Sequence, residues 1–173
     1  EKSQTDNFAG KTVKLAGNID MTDIEWTPIG TSDSATRFAG TFDGQGYTIS
    51  NLRMEATTDY VGLFAATTTD AVVKNLIIDD ANITSTAKFA GIVAGLGHGT
   101  FSDIRVENAT LTGGGRLGGL IGLAQNSVTL SNCSFSGTVT CVGSDKENRY
   151  IGGLLGYVTG GTLKISNCMN AGT

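Results

Sequence analysis

Apolar positions in this chain recur in two short patterns that alternate along it. Four segments share the first: residues 60–65 (YVGLFA), 89–94 (FAGIVA), 117–122 (LGGLIG) and 151–156 (IGGLLG), with 38–43 (FAGTFD) opening the series. Their starts lie 22, 29, 28 and 34 residues apart. The second pattern follows each first: ISNLRM from Ile49, VKNLII from Val73, FSDIRV from Phe101, LSNCSF from Leu130 and ISNCMN from Ile165. After its Asn or Asp the second pattern alternates with period two, as a half-buried strand requires. The extra residue before that point predicts a bend at Ser50–Asn51 and its equivalents.

Two patterns recurring in phase predict stacked coils. The expected fold is all-β: a short right-handed parallel β-helix (solenoid) of about five coils, starting near residues 38, 60, 89, 117 and 151. No coil can bury its own apolar face, so stability must come from its neighbours. The expected inward columns are Leu52, Leu76, Ile104, Cys133 and Cys168, beside Met54, Ile78, Val106 and Phe135. Gly40, Gly62, Gly91, Gly119 and Gly153 form a column read as structural, at a sharp corner. Asn51, Asn75, Asp103, Asn132 and Asn167 form another at the second bend, where Asn tolerates left-handed backbone and its amide can bond to the next coil. A 22-residue coil is taken as minimal, with loops at residues 85–88, 112–116 and 141–149 in the longer ones. Residues 1–37, whose non-repeating stretch 8–30 ends in WTPIG, are read as an N-terminal cap, and residues 38–173 as the repeats. The last coil reads as unfinished, which predicts further repeats or domains of a larger chain.

Composition agrees with many tight turns. Gly is 25 of 173 residues and Pro only 1. The net charge of −4 excludes a nucleic-acid partner, which needs a basic face. No stretch approaches the roughly 20 apolar residues of a membrane helix. The chain begins at Glu1, as a processed or excerpted one would.

The glycine-rich segments followed by an S-N-C or S-N-L strand resemble the GLUG repeat of bacterial surface proteins. WTPIG followed by FAGTFDGQGYTISNL looks like the start of such arrays in secreted proteins. The resemblance covers most of the chain from Val13 onward. It implies an extracellular or cell-surface module of adhesin or accessory kind, with glycan or host surface protein as partner. The repeat also occurs beside peptidases of the immunoglobulin A protease type. The resemblance carries over no catalytic residue.

Candidate chemistry is sparse. His98, the only histidine, reads as an exposed loop residue without a nucleophile to activate. GLGHG at residues 95–99 lacks the Lys and the strand–loop–helix setting of a phosphate loop. No catalytic set, metal set or cofactor motif is legible. The candidate binding residues lie outward on the second pattern. Glu55, Asp79 and Glu107 are expected in one column, with Arg53 and Arg105 two residues before. Carboxylates about 5 Å apart on adjacent coils would suit a retaining glycosidase, and acids paired with Arg a polysaccharide lyase, but weak Arg–Glu pairs on a solvated face are the favoured reading. Thr and Asn residues at 82, 84, 110, 112, 138 and 140 form an outward array with some likeness to an ice-binding surface, but Thr is simply a good exposed strand residue and that reading is favoured. Cys133 and Cys168 fall in one inward column, where free buried thiols are favoured over a bridge. The exposed aromatics expected are Tyr47, Tyr150 and Tyr157.

Overall fold

A computed structural model describes residues 5–57, 59–86, 88–142 and 149–173. Among them every regular element is a β-strand, and every strand pairing is parallel. Thr12, Thr41, Val72, Thr100, Thr129 and Lys164 stand above one another, so successive courses take 29, 31, 28, 29 and 35 residues. This is a parallel β-solenoid. The four-stranded face Tyr60–Val61, Phe89–Gly91, Arg116–Gly118 and Tyr150–Gly152 counts about four full turns, rather than five coils.

The 22-residue coil does not exist, and the reason lies in the corners. Val73 and Leu76 both face inward although three residues separate them, because Asn75 between them has φ of 54°. A left-handed residue resets the in–out alternation. The same device recurs later in the same turn, where Ile78 and Ala81 are both buried around Asp80 at φ 50°. An apolar–x–Asn/Asp–apolar pattern therefore occurs twice per turn. The segment containing Asn51 is a second corner, not a first. Ile49 pairs with Ile78 and Met54 with Ile83, so neither Leu52 nor Met54 joins the column first expected for it.

Corrected in this way, the columns are continuous. Val13, Phe42, Val73, Phe101, Leu130 and Ile165 form one across six courses. Ile49, Ile78, Val106 and Phe135 form a second, and Met54, Ile83, Leu111 and Val139 a third. Phe42, Val73, Phe101 and Leu130 are buried, as are Ile78, Val106 and Phe135. In the uppermost course Ile151, Leu163, Ile165 and Met169 are exposed, between 37% and 61%.

Strand pairing joins residues on the two sides of position 37. Thr12–Lys14 lies under Thr41–Asp43, and Ile19–Asp20 under Thr48–Ser50. Ile29 bridges Phe64, with the Ile29 N–H donating to the Leu63 carbonyl at 2.9 Å. The Trp26 indole donates to the same carbonyl at 3.2 Å. Residues 26–30 thus belong to the first course. Phe38 stacks on Thr67 and not on Tyr60, which is why the spacing of 22 was misleading. The candidate loop at 141–149 falls largely outside the described residues, as do Thr58 and Ala87.

Truncating a ladder at its centre should be costly, because the rungs above and below cannot close the gap. Phe101→Ala is expected to cost about 3–5 kcal/mol, read as a fall in the urea midpoint. Truncation of the half-buried Val139 should cost much less.

Candidate binding faces

Two corners order the outer surface. At the first, Asn75, Asp103, Asn132 and Asn167 have φ between 52° and 55°. Left-handed backbone costs an ordinary residue about 1–2 kcal/mol, and Asn and Asp relieve it locally. Their side chains also bond between courses. The Asn75 amide donates to the Asp43 carboxylate at 3.0 Å, Asn132 to Asp103 at 2.9 Å, and Asn167 to Asn132 at 3.3 Å. Asn51 is not in this ladder. It sits at the second corner with Asp80 and Asn108, at φ of 59°, 50° and 51°, and donates to Asp20 at 2.8 Å. The amide of Asn75 and the Gln45 N–H hold the Asp43 carboxyl below its ordinary range, and Lys74 and Lys14 act in the same sense. Asp20 is likewise lowered by Asn51 and Thr22.

The glycines divide similarly. Gly91, Gly118 and Gly152 are register partners, and Gly62 lies against Gly91. A Cβ on Gly91 would stand 2.6 Å from the Ala94 and Leu120 carbonyl oxygens, so close approach of adjacent turns demands Gly there. Gly119 and Gly153 fall one residue later, within the bend. Gly40 lies elsewhere, packed on the Phe8 and Lys11 carbonyls.

The expected acidic column is broken. Asp79 and Glu107 are register partners on adjacent courses. Glu55 pairs with Thr84 on another face, and Arg53 with Asn82. Glu107 meets Arg105 at 3.6 Å, Asp79 accepts from the Asn108 amide at 2.9 Å, and Arg53 bridges to Asp80 at 2.9 Å. These are exposed pairs, of the kind that contributes about 0–1 kcal/mol each. What the corner does form is an open groove of about 710 Å³, lined by Asp43, Gln45, Asn75, Asp103, Arg105 and Asn132. Of the five candidate residues only Arg105 reaches it.

The Thr array is assembled. Asn82, Thr110 and Thr138 share one column, and Thr84, Thr112 and Thr140 the next. Arg53 and Glu55 continue the two columns below. His98, expected to be exposed, is only 3% exposed. Its N–H donates to the Thr67 hydroxyl, which donates to the His98 carbonyl, both at 2.8 Å. All three cysteines are free thiols. Burial pushes the Cys133 thiol up to about 11.

An aromatic column on the outside had no place in the sequence reading. Tyr60, Phe89, Arg116 and Tyr150 are register partners. The Tyr60 and Phe89 rings stack with centroids 5.3 Å apart and planes 10° apart. The Arg116 guanidinium lies 5.1 Å from the Phe89 ring, 5.4 Å from Tyr150 and 4.7 Å from Tyr157. Across the glycine bend, Ala66, Leu96 and Leu123 are buried against Tyr60, Phe89 and Tyr157. The bend thus folds two faces onto each other and makes a second, smaller apolar cluster outside the main core. Equal spacing of Tyr60 and Phe89 within their glycine patterns was the available signal. Aligning Leu117 instead of Arg116 hid it.

Fold and corners together define a repeat-built parallel β-solenoid. The GLUG motif matches residues 113–140, so the chain carries a GLUG motif within this stack. Halomucin of Haloquadratum walsbyi is 36% identical over 104 residues, 60% of this chain and 1% of that protein. The immunoglobulin A1 protease of Streptococcus sanguinis is 30% identical over 159 residues, 89% of this chain and 8% of the protease. A putative Gly-rich membrane protein of Evansella cellulosilytica is 30% identical over 98 residues, 55% of this chain and 11% of its own length. The chain therefore spans a small fraction of each of these relatives. No solved structure matches it. No helix among the described residues is long and apolar enough to cross a membrane.

Substitutions at two positions, Asn132 and His98, test the corner and the buried interior. Asn132→Ala loses its inter-course hydrogen bond and strains the left-handed backbone, for an expected loss of about 2 kcal/mol. Asn132→Gly keeps the backbone freedom and should lose less, by urea denaturation. Burial, reinforced by Arg37, holds the His98 imidazole below its ordinary value of 6.5. The unfolded chain then takes up a proton that the folded chain refuses. Stability is full above pH 6.5 and falls as pH drops below it. His98→Gln should flatten this dependence between about pH 7 and pH 5, measured by urea midpoints.

Proposed function

We propose that the chain is a non-catalytic, extracellular repeat module that binds glycan or host surface protein through its outward faces. One observation carries this reading. The conspicuous Gly, Asn and apolar residues are occupied in the stack, while the surface offers an open groove of about 710 Å³ bordered by Asp43, Gln45, Asn75, Asp103, Arg105 and Asn132. The candidate glycosidase residues support it further, because Glu55 is separated from Asp79 and Glu107. An extracellular or surface setting is supported by the printed names of the relatives, a halomucin, an immunoglobulin A1 protease and a putative membrane protein. A second reading, an accessory module that positions a neighbouring peptidase, is favoured by the match of 89% of this chain to the protease.

Glycan arrays and pull-downs from host surface protein test the first reading. Saturable binding to at least one glycan or host protein is the expected result. Absence of binding, together with turnover of a polysaccharide that is lost in Asp79→Asn, would replace it with an enzymatic one.

A further inference from the structure

The aromatic column has a foot. Tyr60 is its lowest member, and Phe89 covers one face of the Tyr60 ring at 5.3 Å. Thr27 and Pro28 of the first course share a cavity lining with Tyr60, and no aromatic residue of that course does. This cavity, of about 250 Å³, is lined by Thr27, Pro28, Thr31, Ser32, Asp59 and Tyr60.

We propose that this cavity is a subsite for one neutral pyranose unit of a glycan. The inference rests on the glycan-binding reading above and adds the place and the sugar class. The face of an aromatic ring carries negative charge density, which suits the slightly positive C–H face of a pyranose. The Asp59 carboxylate stands at the rim and is 60% exposed. Its nearest cation, Lys88, is 3.9 Å away and 70% exposed, a pairing weak enough to yield to two sugar hydroxyls. Thr27 and Ser32 add hydroxyls to the lining. Asp59 disfavours sialic and uronic acids by like charge. The size sets the length of ligand: ligand pockets commonly run to about 300–1,000 Å³, so this one accepts a single ring with the rest of the glycan running out over the surface. A lone ring then binds weakly, in the millimolar range.

Two features explain why the subsite occurs once. Higher in the column the level above Phe89 is filled by Arg116, which is itself packed between Phe89, Tyr150 and Tyr157. At the other end of the column Tyr150 packs on Tyr157, ring centroids 5.0 Å apart, whereas at the foot Tyr60 borders the cavity.

The test is a titration of the whole chain with methyl β-glucopyranoside, methyl β-galactopyranoside, methyl α-mannopyranoside and methyl N-acetyl-β-glucosaminide, followed by two-dimensional amide NMR and by saturation transfer to the sugar C–H protons. The expected result is saturable shifts of Thr27, Thr31, Ser32 and Tyr60 with at least one sugar, and saturation of one ring face. Asp59→Ala should weaken that binding about tenfold, while Lys164→Ala, at an exposed position of the uppermost course, leaves it unchanged. Tyr60→Ala should abolish it, and Asp59→Ala keeps the test decisive because it alters only an exposed side chain. Shifts confined to the Asn75–Asn132 groove, or binding indifferent to Asp59→Ala, would overturn the subsite while leaving glycan binding intact. No response to any of the four sugars would also overturn it, and a glycan array without binding would then remove the parent reading as well.

Discussion

Everything in this molecule depends on vertical register. A single course of about 29 residues has no interior of its own. Its apolar side chains become buried only when the equivalent side chains of the courses above and below fall directly over them, at the spacing of about 4.8 Å that parallel pairing sets. A slip of one residue would send Val73 and Phe101 to the surface. Register is therefore enforced at several places at once. The apolar ladders reward it, the glycine contacts at the bend permit it, and the corner amides bond across it.

The corners explain how a chain with so little helix-forming or turn-forming Pro can bend so often. A left-handed Asn or Asp turns the strand and restores the alternation on the next face. It costs little where the side chain has a partner, and the ladder from Asn167 through Asn132 to Asp103 supplies one from the neighbouring course. Asp43 carries the same logic to the second course. There the chain takes an irregular path through Gly44 and Gln45, yet the carboxylate still receives the Asn75 amide. Local backbone strain and inter-course bonding are thus met by one side chain.

Much of the architecture was legible in the sequence because repetition is informative. The recurrence of Gly and Asn near Val73, Phe101, Leu130 and Ile165 was enough for a stacked all-β fold. Failures came where one local device is used twice. Because Ile49–Asn51–Leu52 and Val73–Asn75–Leu76 solve the same corner problem, they look alike while lying on different corners. That ambiguity misplaced Asn51 and moved Glu55 into the wrong column, while aligning Phe38 with Tyr60 instead of Thr67 shortened the first coil. The aromatic column was lost to a smaller shift, Leu117 for Arg116, and burial of His98 depends on packing from Thr67 that no local pattern announces. Site geometry was less legible than fold for a general reason: inward positions repeat by necessity, whereas outward positions are free to vary from course to course.

The outer surface then reads as a set of distinct faces borne on one rigid stack: a corner groove, a threonine face and an aromatic column with a cavity at its foot. Their relative placement follows from register alone, so register is what must be measured. Cross-strand NOEs between backbone protons provide that directly. The structure predicts contacts joining Ile49 to Ile78, Phe101 to Leu130 and Tyr60 to Phe89, in the pattern of parallel strands. Contacts joining Ile49 to Val73, or the close Hα–Hα pairs of antiparallel strands, would contradict it.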